Sequence, residues 1–363
     1  MTFDYGVRLA ALRRLMESTS IDALLASVGA DLPYLTGYEA MPLERLTMLV
    51  VTMDRQPVLL VPELEAPRVV ERPDVFAMRA WSETEDPVGI AARLLDGVGS
   101  VVIGDQTWAT FVLALEERLP GVRFDVASPL TRELRMRKDP LELDTLRRAA
   151  QAADRVASRL REMRFSGRTE TELSRLVAAM TVEEGHQAAT FSIVASGPNG
   201  ASPHHEAGER IIEEGDAVVV DFGGKLHGYC SDTTRMFHVG EPGAEYRKAF
   251  AVLHEAQVAA VEAVHPGATA QDVDRTARAI IADAGYGEYF IHRTGHGIGL
   301  DAHEHPYVVE GNDLELEPGM TFSIEPGIYL PGRFGMRIED IVAVSTDGVE
   351  RLNRSDRSLT IVG

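Results

Sequence analysis

The sequence predicts an α/β (α+β) protein in two parts, the second of which is built from two copies of one helix–helix–hairpin unit. Residues 1–132 alternate short apolar runs with amphipathic runs, which is the pattern of an α/β sheet domain. In residues 133–363, the segments 167–172 (GRTETE) and 267–272 (GATAQD) match at an offset of 100 residues. Each segment contains a Thr-x-x-acid capping box, which starts a helix.

The first part is expected to form a sheet flanked by helices. Its amphipathic runs predict helices at 9–16, 88–95 and 108–119, and its apolar runs are typical of strands at 22–27, 46–52, 57–61 and 101–104. This part contains no cluster of nucleophilic or metal-binding residue types. Its unusual segment is the loop 33–45 (PYLTGYEAMPLER), which combines aromatic and charged groups, and the plainer interpretation of that loop is a surface connection.

The boundary between the parts is predicted at the start of the segment 132–138, which gives domains of residues 1–132 and 133–363. Asp139 and Pro140 then begin a long helix, because Pro is favoured at the first helical position. Apolar residues recur along this helix at helical spacing, at positions Leu143, Leu146, Ala150, Ala153, Val156, Leu160 and Met163. We interpret this face as core.

The segment 217–235 predicts a β-hairpin that carries two carboxylates, Asp221 and Asp232. An ionised carboxylate is costly to bury without a counter-charge, so two of them on buried strands would call for a cation. The alternative is an ordinary hairpin whose acids lie at its solvent-facing ends.

The repeat favours the cation, because 213–221 (EEGDAVVVD) aligns with 317–325 (EPGMTFSIE) and places Glu325 opposite Asp221. A second acid follows in each copy, since Asp232 comes 11 residues after Asp221 and Glu339 comes 14 residues after Glu325. Two such hairpins packed face to face would bring four carboxylates to one point.

Histidines supply further candidate ligands. The loop that ends the segment 191–205 delivers His204, and the segment 292–306 (HRTGHGIGLDAHEHP) places His296 between glycines that would let the backbone approach an ion. His292 and His303 stand on either side of His296. The glycines do not fit G-x-G-x-x-G, so a dinucleotide site is unsupported, and the pattern H-E-x-x-H of a zinc protease helix is missing.

Composition excludes several classes of protein. The formal net charge of −20 argues against nucleic-acid binding, which needs a basic face. No apolar run reaches the roughly 18 residues of a membrane-spanning helix. A single cysteine rules out an intramolecular disulfide framework, and the first residues lack the features of a signal peptide. These observations predict a cytoplasmic protein.

The five residues Asp221, Asp232, His296, Glu325 and Glu339, each within its local motif, resemble the metal ligands of the pita-bread metallopeptidases. That family includes methionyl aminopeptidase, aminopeptidase P and prolidase, which cleaves Xaa-Pro dipeptides. The first part, with its Tyr-Leu-Thr-Gly-Tyr loop, resembles the N-terminal domain of the creatinase, prolidase and aminopeptidase P branch. The expected fold is therefore a creatinase/prolidase-like α/β domain followed by a pseudo-twofold pita-bread catalytic domain.

The resemblance implies a site with two divalent metal ions. Asp221 would bind one ion, His296 and Glu325 the other, and Asp232 and Glu339 would bridge them. This oxygen-rich ligand set suits Mn²⁺ best, with Co²⁺, Fe²⁺ or Zn²⁺ as alternatives. Glu325 would also act as general base, and His303 would donate to the oxyanion of the tetrahedral state. Residues expected to bind the substrate or orient the carboxylates are His204, His292, Arg337 and Tyr229.

The implied substrate is a peptide with proline at its second position, and the length of that peptide is open. A dipeptidase must bind the free C-terminal carboxylate, for which Arg is the natural partner. Prolidases usually carry such an Arg in the stretch that corresponds to 306–318, yet this stretch contains no Arg or Lys. We favour a dipeptidase, and the alternative is an aminopeptidase that acts on longer peptides.

The missing cation leads to a hypothesis about a homodimer, the usual assembly in this branch. Arg45, in the loop 33–45, could extend over the partner's pocket and bind the substrate carboxylate. The plainer interpretation is that Arg45 pairs with Glu44 or Glu39 on its own surface.

Two remote alternatives are a non-enzymatic binding protein with this fold and a creatinase, and the intact ligand set argues against both. Cys230 is interpreted as a small buried thiol, and His205, His227 and His305 are expected to have no catalytic role.

Overall fold

The structure of the protein, a computed structural model, describes residues 3–363. The chain divides into two compact units, Met1–Arg135 and Met136–Gly363, so the division falls three residues after the position expected from the sequence. The reason is that position 132 lies inside a helix, Ser128–Arg135, whose Thr131 and Arg135 side chains both donate to Asp31 of the first unit.

The first unit is a six-stranded mixed sheet with helices. Its helices are α1 Tyr5–Thr19, α2 Asp31–Thr36, α3 Pro87–Leu94, α4 Ala109–Arg118 and α5 Ser128–Arg135. Its strands are β1 Ala23–Ala26, β2 Met48–Thr52, β3 Val58–Pro62, β4 Ala77–Trp81, β5 Ser100–Ile103 and β6 Arg123–Val126. The strand order is β4-β3-β2-β1-β5-β6, and the edge pairs β3–β4 and β5–β6 are parallel.

The strands and helices predicted for the first unit are confirmed. Two strands were missed, β4 and β6, which lie at the edges of the sheet. β4 is only partly buried and β6 is largely exposed, so they lack the apolar runs that mark the inner strands. The segment 33–45 is not a loop throughout, because its first four residues end helix α2. There Tyr34, Leu35 and Thr36 are buried.

The second unit contains two sheets and four main helices. The helices are α6 Pro140–Leu160, α7 Glu170–Glu183, α8 Ala244–Glu262 and α9 Ala270–Asp283. The strands are β7 Ala188–Ser196, β8 Ala217–Leu226, β9 Tyr229–Cys230, β10 Thr233–Val239, β11 Gly295–Gly297, β12 Glu304–Val308, β13 Thr321–Ile324, β14 Gly327–Leu330, β15 Phe334–Arg337, β16 Asp340–Val344, β17 Val349–Arg351 and β18 Thr360–Val362. One sheet has the order β18-β10-β8-β7 with β9 beside β8, the other has the order β12-β11-β13-β16-β17, and β14 and β15 pair separately.

The predicted repeat is visible in the hydrogen bonds of the second unit. Thr169 caps α7 and pairs with Ile211, and Thr269 caps α9 and pairs with Glu315. Antiparallel pairing of β8 with β10 is matched by antiparallel pairing of β13 with β16. The extra hairpin β14–β15 lies between β13 and β16, which accounts for the longer spacing from Glu325 to Glu339.

Strand β8 is buried on both faces, which explains its continuous apolar run. Val218, Val220 and Phe222 pack into the core that contains α6 and α7. Ala217 and Val219 face the other core, which contains α8 and α9. Because side chains alternate along a strand, Asp221 points the same way as Ala217 and Val219, towards the second copy of the repeat.

The helices of residues 3–363 include none that combines the length and the apolar character needed to cross a bilayer.

Candidate metal centre

The two hairpins meet through backbone and side-chain hydrogen bonds that join a strand of one copy to the other. The Glu339 N–H donates to the Thr234 carbonyl at 3.3 Å, and the Thr234 hydroxyl donates to Glu339 Oε2 at 2.7 Å. Thr234 pairs with Asp221 across β10 and β8. In the second copy Ile324 pairs with Asp340, so Glu325 and Glu339 are the next residues along that register. The fold thereby brings Asp221, Glu325 and Glu339 to one place.

The five candidate ligands converge as the sequence predicts. Ligand atoms of Asp221, Asp232 and Glu339 lie within 4.8 Å of one another, and so do those of His296, Glu325 and Glu339. Glu339 belongs to both groups, and Asp232 Oδ2 lies 3.7 Å from His296 Nε2. A third group joins Asp232 and His296 to His303. Asp221, Asp232, His296, Glu325 and Glu339 are therefore the residues that would hold divalent metal ions.

Unpartnered carboxylate oxygens support a cation at this point. Asp221 Oδ1 and Glu339 Oε1 are fully buried and make no hydrogen bond within residues 3–363. The second oxygen of each group is held, because Arg337 donates to Asp221 Oδ2 and Thr234 donates to Glu339 Oε2. A buried carboxylate oxygen without a donor is costly. Divalent metal ions that prefer oxygen ligands fit these residues.

His296 is oriented so that one ring nitrogen faces the carboxylates. Its Nδ1 contacts the Gly297 carbonyl at 3.1 Å and must be the donor, since a carbonyl only accepts. Its Nε2 then lies 3.2 Å from Glu325 Oε1. The Ser323 hydroxyl donates to the same Glu325 oxygen at 3.0 Å and accepts from the His296 N–H. Ser323 therefore fixes two candidate ligands at once.

The electrostatics of the metal-free chain show how strongly these acids oppose one another. Burial raises the pKa of Asp232 and Glu339 well above the usual range, and the charges of neighbouring carboxylates raise it further. Burial also raises the pKa of Asp221, in spite of Arg337. Glu325 differs: burial raises its pKa, but the hydrogen bond to His296 and the positive charges of His296, His292 and Arg337 together lower it to about 2.

A hydrogen-bonded chain leads from Asp221 to the wall of the cavity. Arg337 donates to Asp221 Oδ2 at 2.5 Å, to the Tyr329 hydroxyl at 2.9 Å and to Thr234 Oγ1 at 3.0 Å. The Tyr329 hydroxyl lies 2.9 Å from His292 Nε2. His292 Nδ1 donates to the Arg293 carbonyl, so its Nε2 accepts from Tyr329. Burial lowers the pKa of His292, which keeps the ring neutral in this role.

A cavity of about 480 Å³ opens onto the carboxylate cluster. His204, His292 and His303 line it, together with Arg337. His303 is exposed at the cavity, and its ring lies 3.8 Å from that of His296. Partial burial and the positive charge of His296 lower the pKa of His303 to about 4, so its imidazole is neutral near pH 7. Lining residues with apolar contact surface are Phe191, Ile193, Pro203, Ile291 and Ala302.

Two predicted substrate-binding residues do not lie at the cavity. Tyr229 is buried, and its hydroxyl donates to Glu142 Oε1 at 2.7 Å, which places it in the core beside α6. The cavity lining does not include Tyr229, so the structure gives no support to its predicted role in substrate binding. Arg45 belongs to the first unit, where it contacts Glu44 and donates to Glu83 Oε1 at 2.7 Å. Its predicted contact with a partner subunit stays a prediction.

The residues expected to have no catalytic role have other contacts. Cys230 is buried, and burial raises the pKa of its thiol to about 12, which confirms an inert thiol. His205 contacts Glu170 Oε2 at 2.8 Å instead of the cavity. His227 is exposed in the hairpin turn.

Close packing of the backbone requires the glycines around His296. A Cβ on Gly295 would lie 1.8 Å from the Ser323 carbonyl oxygen, and a Cβ on Gly297 would lie 2.3 Å from the His305 carbonyl oxygen. The glycines therefore let β11 approach the neighbouring chain segments on both sides. They position His296 by close packing of the backbone, and the approach of this backbone to an ion stays a prediction.

The segment that precedes His296 is anchored by a partly buried ion pair on α9, in which Asp274 is buried and Arg278 is partly exposed. The Asp274 carboxylate accepts from the Thr294 N–H at 3.1 Å and from the Thr294 hydroxyl at 2.7 Å. Arg278 pairs with Asp274 and donates to the carbonyls of Phe290 and His292. The Thr294 carbonyl in turn accepts from the Glu325 N–H at 2.8 Å. One ion pair thus fixes the backbone on both sides of residue 293.

Comparison with known proteins agrees with this geometry. Residues 144–346 match the family model described as metallopeptidase family M24. The chain belongs to this metallopeptidase family. Residues 8–137 match the creatinase/prolidase N-terminal domain, so the first unit is of the creatinase type. The resemblance to pita-bread metallopeptidases that the motifs predicted is confirmed.

Relatives of this M24 chain match it along its whole length. The “Probable dipeptidase PepE” of Mycobacterium tuberculosis is 44% identical, covering 99% of this chain and 96% of the relative. The Xaa-Pro dipeptidase of Lactobacillus helveticus is 36% identical, covering 98% and 99%. Among solved structures, a prolidase from Thermococcus sibiricus has a TM-score of 0.94 and 38% identity, covering 99% of each chain. The predicted two-domain fold is confirmed.

Sequence reasoning missed several residues of the site. Thr234 and Ser323 hold candidate ligands, Tyr329 holds Arg337 and His292, and Arg293 lines the cavity. Arg293 and Tyr329 stand within or just after quoted motifs, so their proximity to ligands was the available signal. Asp274 gave none, because it lies in helix α9, which carries no candidate ligand, although it follows the repeat segment 267–272 by two residues.

We predict that Gly295→Ala destabilises the protein. The new methyl group would overlap the Ser323 carbonyl, and overpacking of this kind costs about 1–3 kcal/mol. Urea unfolding of both proteins measures the loss. Gly208→Ala is the control, since its Cβ would meet only Glu170 Oε2 at 3.9 Å. Equal midpoints for the two variants would contradict the close approach.

The stability of the metal-free protein should fall as the pH rises. Asp232 and Glu339 have native pKa values above their unfolded values of about 4. Their favourable contribution is complete below the unfolded pKa and is lost as the pH rises through the native pKa. Calorimetry with chelator between about pH 5 and about pH 8 should show a decreasing Tm.

Added Mn²⁺ should raise the Tm, and the increment should grow with pH because the ion replaces protons at these carboxylates. Asp232→Asn removes one charge and should flatten both responses. A Tm that is independent of pH and of Mn²⁺ would contradict a metal centre at this cluster.

Proposed function

We propose that the protein is a dinuclear-metal hydrolase that cleaves the Xaa-Pro bond, most favourably in dipeptides. The observation that carries the proposal is the convergence of Asp221, Asp232, His296, Glu325 and Glu339 at the cavity, with two buried oxygens that have no other partner. The full-length similarity to proteins named dipeptidase and Xaa-Pro dipeptidase supports the substrate. Mn²⁺ is the favoured metal because the ligand set is rich in oxygen, with Co²⁺, Fe²⁺ or Zn²⁺ as alternatives.

In this mechanism Glu325 is the general base. When bound, two divalent ions acidify water and polarise a scissile carbonyl. Glu325 is ionised, since its pKa is about 2, and it can accept a proton from the attacking water. Ser323 and His296 hold Oε1 of this carboxylate, which leaves Oε2 turned towards Arg337 at 3.8 Å.

His303 is the proposed donor to the oxyanion. Its neutral ring lies beside His296 and can donate one N–H to the oxygen that gains charge in the transition state. Arg337 is a positioning residue, because its guanidinium donates to Asp221 and Tyr329 and these donors are unavailable to the substrate. His292 and His204 complete the polar wall on which the peptide would lie.

The apolar part of the cavity suits a proline side chain. Phe191, Ile193 and Ile291 line the wall, and a pyrrolidine ring is apolar and carries no N–H after peptide bond formation. Such a wall would accept proline without leaving a polar group unpaired.

The homodimer and the cytoplasmic location expected from the sequence stay predictions, as does a contribution of Arg45 to the partner's pocket. The alternative function is an Xaa-Pro aminopeptidase, which the lack of Arg and Lys in 306–318 would favour.

Substrate length tests the function directly. Chelator-treated protein should be inactive, and Mn²⁺ or Co²⁺ should restore hydrolysis of Ala-Pro, because the nucleophilic water requires both ions. Ala-Pro should have a higher kcat/KM than Ala-Pro-Ala. The reverse preference would identify an aminopeptidase, and full activity without metal would contradict the mechanism.

The roles of Glu325 and His303 can be tested by substitution. Glu325→Gln should lose most of kcat, since an amide cannot accept the proton. His303→Ala should lose about 2.7–4 kcal/mol of transition-state stabilisation, as for loss of an oxyanion donor. Glu310→Gln and His265→Ala are surface controls that should keep normal kinetics. Near-normal kcat/KM in either test variant would reject its role.

A further inference from the structure

One of the two arginines that line the cavity has no acidic partner, which points to an anionic ligand. Its floor carries the four candidate carboxylate ligands, and its lining includes two arginines among the described residues, Arg337 and Arg293. Arg337 is fully engaged by Asp221, Thr234 and Tyr329. It is therefore unavailable to an incoming anion.

The guanidinium of Arg293 is not engaged in this way. Within residues 3–363, no hydrogen bond or ion pair joins its guanidinium to another side chain or carbonyl group, although the protein has an excess of acids. Other arginines of the second unit, such as Arg147, Arg210 and Arg275, pair with carboxylates. An arginine that lines the cavity and pairs with no acid is available to a substrate.

Tyr307 packs against the guanidinium of Arg293 and leaves the N–H donors of that guanidinium unused. The guanidinium carbon of Arg293 lies 4.3 Å from the centre of the Tyr307 ring. A cation over an aromatic ring is attracted through the ring face. The N–H groups lie in the guanidinium plane, so stacking leaves them free to bind a carboxylate in a two-point contact.

The backbone of Arg293 is also fixed. The His292 carbonyl accepts from Arg278 at 2.9 Å, and the Arg293 carbonyl accepts from His292 Nδ1 at 2.7 Å. The Thr294 N–H donates to Asp274 and to the Val308 carbonyl. A fixed backbone and a stacked side chain lower the entropic cost of binding an anion.

The first copy of the repeat provides an internal comparison. At the position that matches Asp274, offset by 100 residues, it has Ser174, which exchanges neutral hydrogen bonds with Ser192. The scaffold therefore does not require a buried ion pair between this helix and the adjacent segment. The Asp274–Arg278 ion pair occurs in the second copy, whose segment places His292 and Arg293 at the cavity.

We propose that Arg293, stacked on Tyr307, forms a carboxylate-binding subsite in the wall of the cavity. This inference rests on the proposed function in taking the substrate to be a short peptide. The carboxylate has two possible sources, the free C-terminus of a dipeptide and an acidic side chain at the first residue. The first source would supply the cation that the segment 306–318 lacks.

Binding of uncleavable peptides to the metal-loaded protein tests the subsite separately from hydrolysis. The probes are Ala-Pro with a reduced peptide bond, its C-terminal amide, and the corresponding Glu-Pro amide, all measured by calorimetry. If the C-terminus is the ligand, Arg293→Ala should weaken binding of the acid about 10-fold or more and spare the Ala-Pro amide. If the side chain is the ligand, only the Glu-Pro amide should be weakened.

Two further variants make the test specific. Arg293→Lys keeps the charge but not the flat pair of donors, so its loss should be smaller than that of Arg293→Ala. Arg275→Ala removes an arginine that pairs with Glu310 on the surface, and it should leave the binding of every probe unchanged. Arg45→Ala is measured in parallel.

Several results would overturn the subsite. These are no loss of binding in Arg293→Ala, an equal loss for all three probes, no binding of either carboxylate probe by the unmodified protein, or a carboxylate-specific loss in Arg45→Ala alone. Hydrolysis of Ala-Pro by the unmodified protein is assayed separately. Carboxylate-specific binding without hydrolysis would reject the proposed function while supporting the subsite.

Discussion

The second unit depends on one electrostatic constraint, the burial of four carboxylates around a single imidazole. Removing an ionised carboxylate from water costs several kcal/mol, and like charges nearby add to that cost. The protein offsets part of it with Arg337, Thr234 and Ser323, each of which donates to one oxygen of a carboxylate. The oxygens left without donors explain why the cluster matches a cation. Burial, together with the charges of neighbouring carboxylates, raises the pKa of Asp232 and Glu339.

Duplication of one structural unit brings the four carboxylates together, because each copy supplies two of them. In each copy one acid lies on, or directly after, the strand that follows the glycine turn, and the other lies directly before the strand that pairs with it. The two copies then differ where the substrate would lie. In the first, the buried Glu170 accepts from Ser196 and Asn199, which are in the segment leading to His204. In the second, Asp274 and Arg278 hold the segment that carries His292 and Arg293.

The two arginines of the cavity have different roles because the protein engages their donors to different extents. Arg337 is buried and makes hydrogen bonds to an acid, a hydroxyl and a phenol, so it acts through the groups it positions. The guanidinium of Arg293 lies over the face of Tyr307 and, within residues 3–363, donates to no acid or carbonyl group, so it keeps its donors. A guanidinium already saturated by the protein stabilises the site, whereas one without an acidic partner can recognise a substrate.

The sequence by itself determined the candidate ligands and the two-part fold, because both follow from local periodicity and from a repeat with a constant offset. A residue's distance from a glycine turn decides its place on a strand, so Asp221 and Glu325 could be matched from spacing alone. Tertiary structure alone decided the roles of Asp274, Tyr329 and Tyr307, since each acts across a contact between elements that are distant in sequence. It also placed Tyr229 in the core beside α6 and showed that the glycines beside His296 are needed for close backbone packing. Proximity in sequence gives no direction to a side chain, and only packing shows which neighbour requires the space.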